Sequence, residues 1–142
     1  DNFCMASPAN LFEAYELLGY SAVNGVINYP ANYTKTAGNM SYFNPTTGYF
    51  NNTGQPSIFL YNIAVHSSDS NTNTELQMRI RNNVDVEIFG DNKALNPSGE
   101  VWTFMGNGGL LTVLENFRFS LELNGTQPMT CDIYVKFVRL FS

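Results

Sequence analysis

Residues 75–81 alternate without a break: Leu76, Met78 and Ile80 share one parity, and Glu75, Gln77, Arg79 and Arg81 the other. Successive side chains of a strand point to opposite faces, so the pattern predicts a strand with one buried and one solvated face. Asn82 and Asn83 then read as a turn. Val84, Val86 and Ile88 follow as inward residues, with Asp85 and Glu87 outward, which predicts a hairpin.

The rest of the chain fits around that hairpin. Residues 42–50 carry aromatic pairs on both sides of a turn. Pro45 presets φ, Asn44 can accept from the backbone ahead of it, and Gly48 supplies a left-handed position. Further strands are predicted over 20–28 (Gly25 a bulge), 57–66, 101–105, 110–114, 117–123 and 130–141. Over 57–66, Phe59, Tyr61, Ile63 and Val65 share one face. Loops fall at 29–38, 67–74 and 90–99, and Gly106, Gly108 and Gly109 break the chain between two strands. One short helix is predicted over 7–19. Ser7 is its cap, Pro8 its first residue and Gly19 its stop, with Leu11, Phe12, Tyr15 and Leu18 at helical spacing. About ten short strands with frequent turns make an all-β antiparallel sandwich. Aromatic residues at 14% and charged residues at 13% suit it better than a helical bundle.

The 142 residues divide into a lead-in, 1–19, and one head domain, 20–142. The net charge of −5 and the lack of a Lys/Arg cluster disfavour nucleic acid as a partner. No apolar run reaches the roughly 20 residues of a membrane span. No signal peptide is seen, and the start at Asp1 rather than Met reads as a piece processed from something longer. Cys4 and Cys131 could close a bridge worth up to ~4–5 kcal/mol or stand as two thiols. The triplets at Asn32, Asn39, Asn51 and Asn124 match the glycosylation pattern, but a chain rich in Asn, Ser and Thr shows several by chance.

Chemistry is poorly supplied. The single His66 lies beside Ser67, Ser68 and Asp69, but a triad needs groups converging from separate elements. One His with no paired-cysteine motif argues against zinc. Asp69, Asp85, Asp91 and Asn92 offer oxygen groups that calcium takes in some sandwiches, without ordered ligand spacing.

The corner at 44–50, the Gly54-Gln55-Pro56 break and the aromatic strand from Phe59 to Val65 together resemble the globular head of complement component one's q subcomponent. The likeness extends to its tumour-necrosis-factor-like relatives. Residues 76–83, 108–114, 117–123 and 135–141 match further strands of that family, so the likeness covers roughly 20–142. In this chain the break runs Gly54-Gln55-Pro56 where the family carries Pro first, and no collagen-like repeat is present. The resemblance implies a jelly roll in which the sheet holding the last strand faces a threefold axis. That strand is apolar on both faces: Ile133, Val135 and Phe137 serve the core, leaving Tyr134, Val138 and Leu140 for a second copy.

The expected function is therefore a non-enzymatic homotrimeric recognition head for a cell-surface receptor or glycan, secreted or on a virion surface. A monomeric carbohydrate-binding module is the alternative. Candidate ligand contacts are Tyr29, Tyr33, Asp69, Asp91 and Trp102, with Tyr42 and Tyr49 as further loop aromatics.

Overall fold

The structure, a computed structural model, describes residues 12–23, 25–51, 57–67, 75–82, 84–94, 101–113, 116–125 and 129–141. At 57–60, 88, 89, 91, 93, 94, 101–113 and 139–141 it describes the backbone alone. Nine strands are found among these residues: β1 (Phe12–Ala22), β2 (Thr34–Gly38), β3 (Tyr49–Phe50), β4 (Ser57–Ser67), β5 (Glu75–Asn82), β6 (Glu87–Ala94), β7 (Val101–Val113), β8 (Phe117–Asn124) and β9 (Met129–Phe141). They form two antiparallel sheets, ordered β2-β1-β9-β4-β7 and β3-β8-β5-β6.

Between the sheets lies an aromatic core. Phe43 and Phe50 come from the corner at 42–50, Phe117 and Phe119 from β8 and Phe137 from β9, with Phe50 4.7 Å from Phe137 and 4.9 Å from Phe117. Burying a side chain of this size stabilises by roughly 1.5–3 kcal/mol. The alternation of β5 holds as read, with Leu76, Met78 and Ile80 fully buried.

The corner also forms as read. Asn44 Oδ1 accepts from the backbone N–H of Thr46 and Thr47 at 2.9 and 3.3 Å, and Gly48 sits at φ +78°. Tyr33 N–H donates to the Pro45 carbonyl at 2.7 Å, so the chain at 30–33 is tied against the turn.

Residues 12–19 are strand, not helix. Glu13, Tyr15, Leu17, Tyr20 and Ala22 stand opposite Phe137, Val135, Ile133, Cys131 and Met129 of β9. Two features hide that strand. One extra residue between Leu17 and Tyr20 makes a bulge that switches the inward parity from odd to even, with Gly19 at φ +68° inside it. The first inward residue is moreover a glutamate, with 0% of its surface exposed. The division expected at residue 20 thus falls inside β1, and the helix start at Ser7 lies outside the described residues.

Other strand limits move as well. Residues 34–38 are strand β2, hydrogen-bonded to β1, where a loop was expected. The chain at 25–28 is a turn braced by Asn28, not a continuing strand: the Asn28 side-chain N–H groups donate to the Val23 and Val26 carbonyls at 2.9 Å each. β7 passes straight through 106–109, because the strand bulges there, between partners Gly109–Tyr61 and Met105–Ile63. β6 continues to Ala94, which places Asp91 in a strand. Val84 and Val86 point outward at 70% and 57% exposure, since β6 begins only at Glu87.

Candidate recognition site

Phe50 and Phe117 are register partners, and so are Tyr49 and Arg118. Since side chains alternate, the stacked core pair Phe50–Phe117 fixes Tyr49 and Arg118 on the outer face of the four-stranded sheet. Arg81 of β5 stands directly opposite Arg118. Two like charges so placed repel, and the loop between β5 and β6 answers them. Arg118 Nη2 lies 2.7 Å from Asp85 Oδ1. Arg81 Nη1 donates to the Asp85 carbonyl at 3.4 Å, and Arg81 Nε to Ser120 Oγ at 3.1 Å.

That loop is held by its own polar groups. Asn82 Oδ1 accepts from the Val84 and Val86 N–H groups at 3.0 Å each, and Asp85 sits at φ +61° between them. A left-handed aspartate is tolerated better than most residues because its short polar side chain bonds locally.

Tyr29 completes the cluster. The Arg118 guanidinium carbon is 3.6 Å from the Tyr29 ring centroid and 5.0 Å from that of Tyr49. A desolvated cation on an aromatic face is worth roughly 1–2 kcal/mol. The Arg118 hydrogen bond, followed by that cation's charge, holds the Asp85 carboxyl below its ordinary value. Burial works against the charge on Arg118, but Asp85 and the two tyrosines outweigh it and raise its pKa. Arg118 Nε is buried with no hydrogen-bond partner among the described residues. The result is an outer patch of a half-exposed carboxylate, an arginine and two tyrosines, with two exposed valines beside them.

The expected ligand contacts separate. Tyr29 belongs to this patch. Tyr33 lies in the core instead, edge-on to Phe43 at 5.2 Å, where burial raises its pKa. Trp102 stands opposite His66 in the β4–β7 ladder. The side chains of Trp102 and Asp91, and all of Asp69, lie outside what the structure describes. Among the described residues no group of three or more His, Cys, Asp or Glu side chains forms a metal-binding cluster. Cys131 is buried, and its pairing with Cys4 lies outside the described residues. Arg118 was missed from the sequence. Its parity on β8 marks it as outward, but nothing local shows that Tyr29 would reach it.

The fold is the jelly roll shared by the complement-q globular head and tumour necrosis factor. The chain is similar to the globular domain of zebrafish complement 1qA protein at TM-score 0.60 and 16% identity, covering 89% of this chain and 94% of that one. It is similar to PRD1 vertex protein P5 at TM-score 0.66 and 9% identity, covering 91% and 72%. It is likewise similar to Eiger TNF from S. frugiperda, at TM-score 0.60 and 10% identity over 91% and 92%. No family model matches the sequence, and no curated protein matches it.

Proposed function

We propose that the chain is a non-enzymatic recognition head. It assembles as a homotrimer through the outer face of its five-stranded sheet. It holds a cell-surface receptor or glycan at its outer loops, outside a cell or on a virion surface. The difference between the two outer faces carries this reading. On the four-stranded sheet the outer residues Glu75, Gln77, Arg79, Arg81, Arg118 and Glu122 are all partly exposed and all polar. The five-stranded sheet instead sets Phe12 opposite Val138 and Glu16 opposite Tyr134, and Tyr134 opposite Ala64. Tyr134, Val138, Phe12 and Ala14 are all only half-buried by their own chain. Leu140 follows on the same strand parity.

Glu16, Asn62, His66, Asp132 and Lys136 share that face by strand parity, so it is mixed and not the wholly apolar surface expected from the sequence. An interface between identical copies carries such polar groups among its apolar ones. Similarity to a complement 1qA globular domain, a TNF and a vertex protein supports the reading through the shared fold. No helix among the described residues is long and apolar enough to cross a membrane. Sedimentation equilibrium or light scattering at micromolar concentration tests the assembly. A mass three times that of the chain is expected, and a monomer would overturn the reading.

A further inference from the structure

We infer that the Asp85–Arg118–Tyr29 patch binds an uncharged, hydroxyl-rich ligand of the neutral sugar class; this rests on reading the chain as a recognition head. Three observations narrow the chemistry. The first is charge. Arg118 is already compensated by Asp85 at 2.7 Å and Arg79 by Glu87 at 2.7 Å, while Arg81 has no carboxylate beside it among the described residues and directs its Nε to Ser120 Oγ and its Nη1 to the Asp85 carbonyl. A ligand carrying its own carboxylate or sulfate would meet the half-exposed Asp85 carboxylate on a chain of net charge −5. An uncharged ligand meets no such repulsion.

The second is hydrogen bonding. Asp85 keeps 52% of its side chain open while Arg118 orients it, so a hydroxyl can donate to a carboxylate that needs no rearrangement. The third is shape. Val84 and Val86 flank that carboxylate at 70% and 57% exposure, on a loop fixed by Asn82. Apolar methyl groups beside an oriented acceptor match the C–H and O–H surfaces of a pyranose. A protein partner fits less well. The Arg118 guanidinium lies over Tyr29 and Tyr49, leaving valines as the protruding apolar groups, and valine is under-represented among the residues that dominate protein interfaces.

A printed array of neutral, sialylated and sulfated glycans, probed with the full chain, tests this. Binding is expected among the neutral glycans only. The best neutral glycan is then titrated against Asp85→Asn and Val86→Thr. Both positions are exposed, and asparagine accepts the left-handed backbone. Asp85→Asn should weaken binding about tenfold or more, because a bond to a charged acceptor is lost, and Val86→Thr should weaken it less. Binding confined to acidic glycans, binding unchanged in Asp85→Asn, or no neutral glycan bound while a protein partner is, would each overturn the inference. The mass of the unmodified protein is measured separately. A monomer that still binds neutral sugar through Asp85 removes the trimer and leaves this site standing.

Discussion

Glu13 shows how much one buried side chain can organise. Its Oε1 accepts from the Tyr15 hydroxyl at 2.7 Å and from Phe43 N–H at 2.8 Å, and its Oε2 from Tyr42 N–H at 3.1 Å. These bonds pin β1 to the corner that carries Phe43 and Phe50 into the core. Glu13→Gln turns one acceptor into a donor facing a donor. About 2–3 kcal/mol of stability should go, because a buried group left unsatisfied costs its full desolvation. A lower urea midpoint with an unchanged slope would show it. The sequence hides this role, since Glu13 differs from an exposed glutamate only in the partners that fold around it. Tyr15 and Tyr33 add a pH effect. Burial raises both above their ordinary 10.0, and for Tyr15 the Glu13 bond raises it further. The folded state favours the neutral phenols, so stability is intact below pH 10.0 and is lost as the pH rises through the raised values. Alkaline titration should therefore show tyrosinate absorbance appearing together with unfolding, and full titration of all tyrosines in a still-folded protein would contradict this.

Elements were legible wherever a local rule decided them. Strict alternation gave β5, and the spacing of Pro45 and Gly48 gave the corner, because both signals are complete within a few residues. The first strand was not legible, since its parity changes at a bulge and its first inward side chain is charged. β7 was misread for the opposite reason: glycines that usually end a strand here let it bulge against β4. In the corner, Gly48 does two jobs. Its φ is +78°, and a Cβ there would lie 2.6 Å from the Pro30 carbonyl oxygen. Gly48→Ala should cost roughly 1–3 kcal/mol from backbone strain alone, and more from the clash with main chain. Because the corner fixes Tyr49 and the chain leading from Tyr29, thermal melting and the environment of Arg118 should change together. Melting unchanged from the parent would show that the corner relaxes freely.

At the scale of the molecule, the two-layer plan could be read from turn spacing, while the strand order could not, since pairings such as β1 with β9 join residues from opposite ends of the sequence. The candidate site was half legible for the same reason: Tyr29 was foreseen, its meeting with Arg118 was not. For assembly, Val138→Asp would bring three carboxylates together in the proposed trimer and should give monomers or insoluble protein. A soluble trimer from this variant would move the interface elsewhere. The sheet order also sets a schedule. β9 comes after the other described strands in the chain, yet it is the middle strand of its sheet, with β1 on one side and β4 on the other. Until β9 has been made, β1 and β4 have no neighbour between them, and each offers an open edge to other chains. The five-stranded sheet therefore closes only after synthesis has passed residue 141, by joining the far ends of the chain, a route that belongs to the slow class of folding. In a crowded cell the newly made chain is most exposed to aggregation in that interval, before β9 is in place.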